Sequence, residues 1–168
     1  AKIEDQEGVT HIHDIVRTAD GVMVARGDLG IETNIADLPN IQRRIVHSAA
    51  RWGRRSVVAT HMLESMIDHP IPTRAEVTDV ANAIYEGADA IMLSGETSVG
   101  RYPIRCVEQL DAIAQKTELW PGLGYEKDLE PESDKQHIAT NAVTLAEDLK
   151  AAGVVVITRR GITADLVT

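Results

Sequence analysis

Gly21-Val22-Met23-Val24-Ala25-Arg26-Gly27-Asp28-Leu29-Gly30 is the stretch that decides the fold: a short apolar run passes directly into a polar, glycine-flanked turn. Ser56 to Thr60 and Ala88 to Ser94 repeat that form, their starts 35 and then 32 residues further along. Between the runs lie segments of helical periodicity. Asp37 to Trp52 carries Leu38, Ile41, Ile45 and Ala49, and Glu76 to Glu86 carries Val77, Val80, Ala81 and Ile84. Strand then helix, repeated, argues for a parallel sheet in an α/β fold. A unit of about 34 residues is near the eighth part, about 31, of a (β/α)8 barrel of about 250 residues. The 168 residues hold only part of such a TIM barrel.

Composition narrows the classes. A hydrophobic content of 43% suits a globular chain and argues against disorder. The net charge of −9 repels a phosphate backbone, so no nucleic-acid partner is expected. Ala151 to Ile157 is the longest apolar stretch, far below the roughly 20 residues of a spanning helix, so no membrane partner is expected. Cys106 is alone, which excludes an intrachain disulfide and fits a cytoplasmic location. The chain opens on Ala1-Lys2-Ile3-Glu4, which reads as the tail of a strand, and closes on the start of a helix. Truncation at both ends is the expectation.

Thr73 and Glu76 have the spacing of a capping box and predict a helix start. A longer helix is expected from about Tyr102 to Glu118, with Ile104, Val107, Leu110 and Ile113 or Ala114 on one face. Trp120 to Asp134 has two Pro, two Gly and no sustained period, which reads as a connection. From Lys135 a helix (Ile138, Ala142, Leu145, Leu149) leads to Val154-Val155-Val156-Ile157, a β-branched run expected to be a buried strand. The expected organisation is a partial barrel over 1–119, a linker over 120–134 and the start of a second α/β domain over 135–168.

In a βα barrel the active site lies at the carboxyl ends of the strands. Those ends carry Lys2 and Glu4; Arg26, Gly27 and Asp28; Thr60 and His61; Ser94 and Glu96. Glu4 and Asp28 are two hard oxygen donors of the kind Mg²⁺ takes alongside substrate oxygens and water. A solvated rim carboxylate and a helix N-cap are the plainer readings of the same pair. Gly27-Asp28-Leu29-Gly30 would expose backbone N–H groups to a carboxylate or phosphate. Lys2 could neutralise a transferring phosphoryl group or an enolate oxygen, or be a frayed, solvated terminus. Thr60 and Ser94 could pass a proton through water or cap the turns that follow. His11 and His13, two apart, do not suit a metal pair on a helix. His-Glu-x-x-His, Cys-x-x-Cys, Gly-x-Gly-x-x-Gly and Gly-x-Ser-x-Gly do not occur. Cys106, Trp52 and Trp120 read as packing residues.

Six blocks together resemble the pyruvate kinase family. They are Lys2-Ile3-Glu4, Val24 to Gly30, Ala59-Thr60-His61-Met62-Leu63-Glu64-Ser65-Met66, Pro72 to Glu76, Asp79-Val80-Ala81-Asn82-Ala83, and Met92-Leu93-Ser94-Gly95-Glu96-Thr97. The resemblance implies the tail of strand five and strands six to eight of the catalytic barrel, about its last three to four βα units. It implies phosphoryl transfer from phosphoenolpyruvate to ADP, giving pyruvate and ATP in glycolysis. Lys2 would steady the phosphoryl group and the enolate, and Glu4 and Asp28 would bind Mg²⁺ (or Mn²⁺). Gly27 and Asp28 would hold the substrate carboxylate with Arg26 supporting the pocket. Thr60 would position the proton source, with Ser94 and Glu96 linked to it by water.

His61 stands where many members have Gln, and Glu32-Thr33-Asn34 replaces a more usual Glu-Ile-Pro. The family's earlier strands, its K⁺ ligands and its lid domain have no counterpart in these 168 residues. The tail from Lys135 resembles the start of the family's C-terminal domain. There Thr158, Arg159, Arg160, Gly161 and Thr163 fall on a loop that binds a phosphorylated effector in several members. The resemblance also implies a homotetramer. Two other readings share the pocket: a metal-dependent barrel aldolase or lyase acting on pyruvate or phosphoenolpyruvate, and a non-catalytic binding module. A part-barrel by itself is expected to be inactive and, with unpaired strand edges, to associate with itself.

Overall fold

In a computed structural model, which describes residues 1–159 and 161–167, the chain forms two compact units, 1–129 and 130–168. The first runs β1 (Lys2–Ile3), α1 (Gln6–Thr10), α2 (Ile12–Thr18), β2 (Gly21–Ala25), α3 (Arg26–Glu32) and α4 (Leu38–Arg51). It continues through β3 (Arg55–Ala59), α5 (Arg74–Tyr85), β4 (Ala90–Met92), α6 (Gly95–Ser98) and α7 (Pro103–Thr117). Among the described residues the strands form one four-stranded parallel sheet in sequence order. That is an arc of a singly wound βα barrel.

The register sets the site. Ile3 pairs with Val24, and Ala25, Ala59 and Met92 are cross-strand partners. Glu4 therefore leaves the sheet level with Ala25, and the residues after β2, β3 and β4 emerge along one rim. Two constraints hold this register. Gly21 lets β2 approach β3, since a Cβ there would stand 2.9 Å from the Arg55 carbonyl oxygen. At the same end, Asp89 accepts from the N–H of Ser56 at 2.8 Å and pairs with Arg55 at 2.9 Å.

One face of the sheet is buried against the helices. Ile3, Val22, Val24 and Val58 pack with Val16 of α2, Ile45, Val46 and Ala49 of α4, and Val80 and Ala83 of α5. Each fully buried side chain of this size contributes about 1.5–3 kcal/mol. The α4 periodicity comes out as expected: Ile45 and Ala49 are buried, and Leu38 and Ile41 lie against the core. So does the start of α5, where Thr73 and Glu76 form both halves of the capping box.

Several expectations are corrected. Val154 to Ile157 forms no strand, and Val155 and Ile157 are 93% and 96% exposed. An extended segment becomes a strand only when a neighbour pairs its backbone, and among the described residues none lies beside it. On α7, Ile104 and Val107 face outward, and Cys106, Leu110, Ile113 and Thr117 turn towards the core. On α8 (Asp134–Asp148), Ile138, Leu145 and, just beyond its end, Leu149 are exposed while Ala139 is buried. The strands are also shorter at their polar ends. β3 stops at Ala59 because Thr60 turns left-handed, at φ 72°. β4, paired on one side only, holds three residues.

Residues 120–129, expected within a linker, are fastened to the first unit. The N–H of Leu123 donates to the carbonyl of Tyr85 at 2.7 Å, and His47 Nε2 meets Asp128 Oδ2 at 2.9 Å. The second unit is α8, the extended segment and α9 (Ile162–Val167).

Candidate active site

Three groups of side chains occupy the rim. The first is ionic. Lys2 Nζ donates to Asp28 Oδ2 at 2.8 Å and also to Glu4 Oε2, so two carboxylates from different βα units converge on one cation. Hydrogen bonds to Asp28 and then to Glu4 raise the lysine pKa above its ordinary value, and the ammonium is charged throughout the neutral range. All three side chains are about half exposed, so the cluster faces solvent. Asp28 does not cap α3; it lies in the first turn, where its charge suits the helix dipole.

The donor set can be tested for a divalent ion. The two carboxylates converge on one point, which the Lys2 ammonium fills, so a divalent ion fits there only when Lys2 releases both oxygens and turns its charge towards the substrate. Among the described residues no group of three or more His, Cys, Asp and Glu side chains is placed to hold a metal ion by itself. An ion at Glu4 and Asp28 would therefore take its remaining ligands from substrate and water, the arrangement Mg²⁺ favours at phosphate sites.

The second group links β2 to the loop after β3. Thr60 Oγ1 accepts from the N–H of Gly27 at 2.7 Å and donates to the carbonyl of Ala59 at 2.6 Å. Its hydroxyl thus ties two neighbouring strand ends together. A Cβ at Gly27 would lie 3.5 Å from Thr60 Oγ1 and 3.6 Å from the His61 ring. Those are ordinary contacts, so the glycine keeps the rim open without being sterically required. Arg26 is 7% exposed and its guanidinium points inward, donating from Nη2 to the carbonyls of Thr60 (2.6 Å) and His61 (3.1 Å). It supports the pocket wall from behind.

The third group joins the loop after β3 to the turn after β4. Glu96, 1% exposed, accepts from the N–H of Leu63 at 3.2 Å and from the N–H of Ser94 at 2.8 Å. Its contacts are those of a clamp that fixes both loops. Ser94 precedes α6 as its cap residue, and no cap bond uses its hydroxyl. Cys106 lies behind, its Sγ 3.6 Å from the Glu96 carbonyl; burial and then the Glu96 charge push the thiol up, and it stays protonated.

Asp79 falls in one of the blocks that carry the resemblance, but nothing in that block tied it to Arg26, and Gln42 carried no signal at all. Asp79 Oδ1 accepts from Arg26 Nη1 at 2.7 Å, and Gln42 joins Arg26 to the buried Glu86. Asp79 and Gln42 are ordinary polar residues of α5 and α4 until the tertiary fold brings them together.

In the second unit, Gly161 N–H donates to Thr158 Oγ1 at 3.1 Å. Thr158, Arg159 and Thr163 line a cavity of about 420 Å³ with Lys135, Ile157 and Ile162. Arg160, the remaining residue of the expected effector loop, lies outside the described residues.

Residues 1–107 match the pyruvate kinase barrel-domain family. The chain belongs to the pyruvate kinase family. Among its relatives is the pyruvate kinase of Methanocaldococcus jannaschii, 44% identical over 169 residues, an alignment spanning 100% of this chain and 38% of that protein. The pyruvate kinase of Chlamydia trachomatis serovar D is 52% identical over 118 residues, covering 70% of this chain and 24% of that one. The crystal structure of a pyruvate kinase from Cryptosporidium parvum superimposes with a TM-score of 0.93 at 38% identity, over 99% of this chain and 35% of its own. The chain thus covers between 24% and 38% of the length of these pyruvate kinases, and its parallel strands are a part of the family's barrel.

Proposed function

We propose that the intact protein carrying this chain transfers the phosphoryl group of phosphoenolpyruvate to ADP and protonates the resulting enolate to pyruvate. The observation that supports this reading best is the Lys2–Glu4–Asp28 cluster on the rim, beside the Gly27 turn that Thr60 holds. Phosphoryl transfer needs charge neutralisation and alignment more than covalent help. Lys2 supplies a permanent positive charge for the phosphoryl and enolate oxygens. Gly27 and Asp28, in the first turn of α3, offer backbone to the substrate carboxylate, although the Gly27 N–H is already donated to Thr60. Thr60 orders the proton source by fixing that turn, and Ser94 has a hydroxyl that its helix cap does not use.

Glu4 and Asp28 would hold Mg²⁺ or Mn²⁺, which when bound supplies positive charge and orientation to the substrate oxygens. K⁺, with ligands outside these residues, ATP as product, a role in glycolysis, a homotetramer and a cytoplasmic location complete the proposal. Among the described residues no helix is long and apolar enough to cross a membrane. The Thr158–Thr163 loop is proposed to bind a phosphorylated effector.

The test is ADP-dependent pyruvate formation from phosphoenolpyruvate, with Mg²⁺ and K⁺, by the intact protein and by its Lys2→Met variant. Turnover in the first and a loss of about 10³-fold in the second are expected, the scale of one electrostatic group aimed at developing charge. A well-folded intact protein without turnover would favour the aldolase or the non-catalytic reading of the same pocket.

A further inference from the structure

We propose that Asp79 on α5 is a positioning residue for this reaction: by pairing with Arg26 it holds Thr60 and His61 in the left-handed backbone that sets Thr60 Oγ1 against the Gly27 turn. The inference rests on the kinase reading above.

Thr60 and His61 are consecutive non-glycine residues at φ 72° and 52°. A β-branched residue such as Thr60 in that region is uncommon, and two non-glycine residues in succession persist only where the surroundings over-determine them. Here the Thr60 hydroxyl holds Gly27 and Ala59, and one guanidinium holds the carbonyls of the pair. Arg26 Nη2 donates to both carbonyls of the pair, and its Nε donates again to that of Thr60 at 3.1 Å. The opposite nitrogen, Nη1, donates to Asp79 at 2.7 Å and to neutral Gln42 at 3.4 Å.

Asp79 is the carboxylate in direct contact with this buried cation. Glu86 lies one hydrogen bond further away, through Gln42 Nε2 at 2.9 Å, and itself pairs with Arg43. A buried guanidinium deprived of its counter-charge is strongly disfavoured. Without Asp79, Arg26 would be drawn towards Glu86 or water, and its grip on the two carbonyls would loosen. The consequence reaches the rim directly, because Thr60 Oγ1 is bonded to the N–H of Gly27, the residue before Asp28. Nothing in α5 touches substrate in this scheme; Asp79 acts through Arg26 and Thr60.

Three measurements on the intact protein test the idea: kinetics of Asp79→Asn and Asp79→Glu, the same Asn change in a Thr60→Ala background, and amide exchange over residues 60–63. Asp79→Asn is expected to lower kcat by about 10- to 100-fold, the scale of a small misplacement of a catalytic group, while Asp79→Glu keeps most of the activity. In the Thr60→Ala background the Asn change should add less than about twofold, because the two act as one unit. Amide exchange at 61–63 should speed by about tenfold while that of β2 and α4 stays unchanged. Unchanged kcat with unchanged exchange overturns the proposal. So does an additive loss with faster exchange throughout α5 and β3, which would make Asp79 a general stabiliser. An unsubstituted intact protein that makes no pyruvate overturns the kinase reading and the catalytic half of the inference, and the exchange arm still decides whether the clamp exists.

Discussion

At the scale of single residues, the acidic groups of this chain divide by where their oxygens are directed. Those of Glu4 and Asp28 meet a cation at the rim, whereas those of Glu76 and Glu96 accept backbone N–H groups and hold loops in place. Glu76 shows the consequence for pH. Burial pushes its carboxyl up, but hydrogen bonds from the hydroxyl and N–H of Ser65 and from Thr73 outweigh burial and hold it below its ordinary 4.5. The unfolded chain therefore takes up the proton first. The stabilisation is present above about pH 4.5 and is lost as the pH falls through the lower, folded value. Glu76→Gln is expected to lose about 1 kcal/mol at neutral pH, the worth of such a cap, with the gap from the unsubstituted protein narrowing in acid. Urea unfolding of the intact protein between pH 3 and 7 reads this, and two parallel curves would contradict it.

At the scale of elements, the parallel ladders depend on close approach at a few points. Gly21 opposes Arg55 across β2 and β3, and a Cβ there would meet the Arg55 carbonyl oxygen at 2.9 Å and its Cβ at 3.2 Å. The carbonyl belongs to backbone and cannot rotate away as a side chain would. Gly21→Ala is expected to cost about 1–3 kcal/mol by forcing the strands apart, with a slower catalytic rate because Arg26 and Thr60 directly follow those two strands. Gly153→Ala is the control, since nothing lies within 4 Å of its would-be Cβ, and its effect should fall within about 0.5 kcal/mol. Equal losses at the two positions would mean that strand spacing at Gly21 is not the constraint.

For the whole molecule, the governing feature is apolar surface left uncovered by these residues. β1 and β4 are the outer strands of the sheet, and Ile104, Val107, Ile138, Leu149, Val155 and Ile157 are exposed. Unpaired strand edges and patches of that kind favour association. The 168 residues produced as an isolated chain are expected to sediment above 18.3 kDa, in a concentration-dependent way, despite a net charge of −9. A monodisperse monomer of 18.3 kDa with a cooperative melt would contradict this.

The sequence by itself determined the βα rhythm, the parallel sheet, the capping box at Thr73 and the rim carrying Lys2, Glu4, Asp28, Thr60 and Ser94. Periodicity, cap spacing and strand-end position are local, and local patterns survive whatever the rest of the chain does. It could not determine whether Val154 to Ile157 pairs, because a strand is made by its neighbour as much as by its own β-branched residues. On α7 it named a face through Ile104 and Val107 that proved exposed: Ile104 and Cys106 are both apolar, and only the position of the sheet chooses between them. The resemblance implied that Arg26 supports the pocket, but its partners behind the rim belong to tertiary structure. Arg26, Asp79 and Gln42 are far apart in sequence, and the guanidinium that joins them binds carbonyl oxygens, which every residue possesses and no motif can mark.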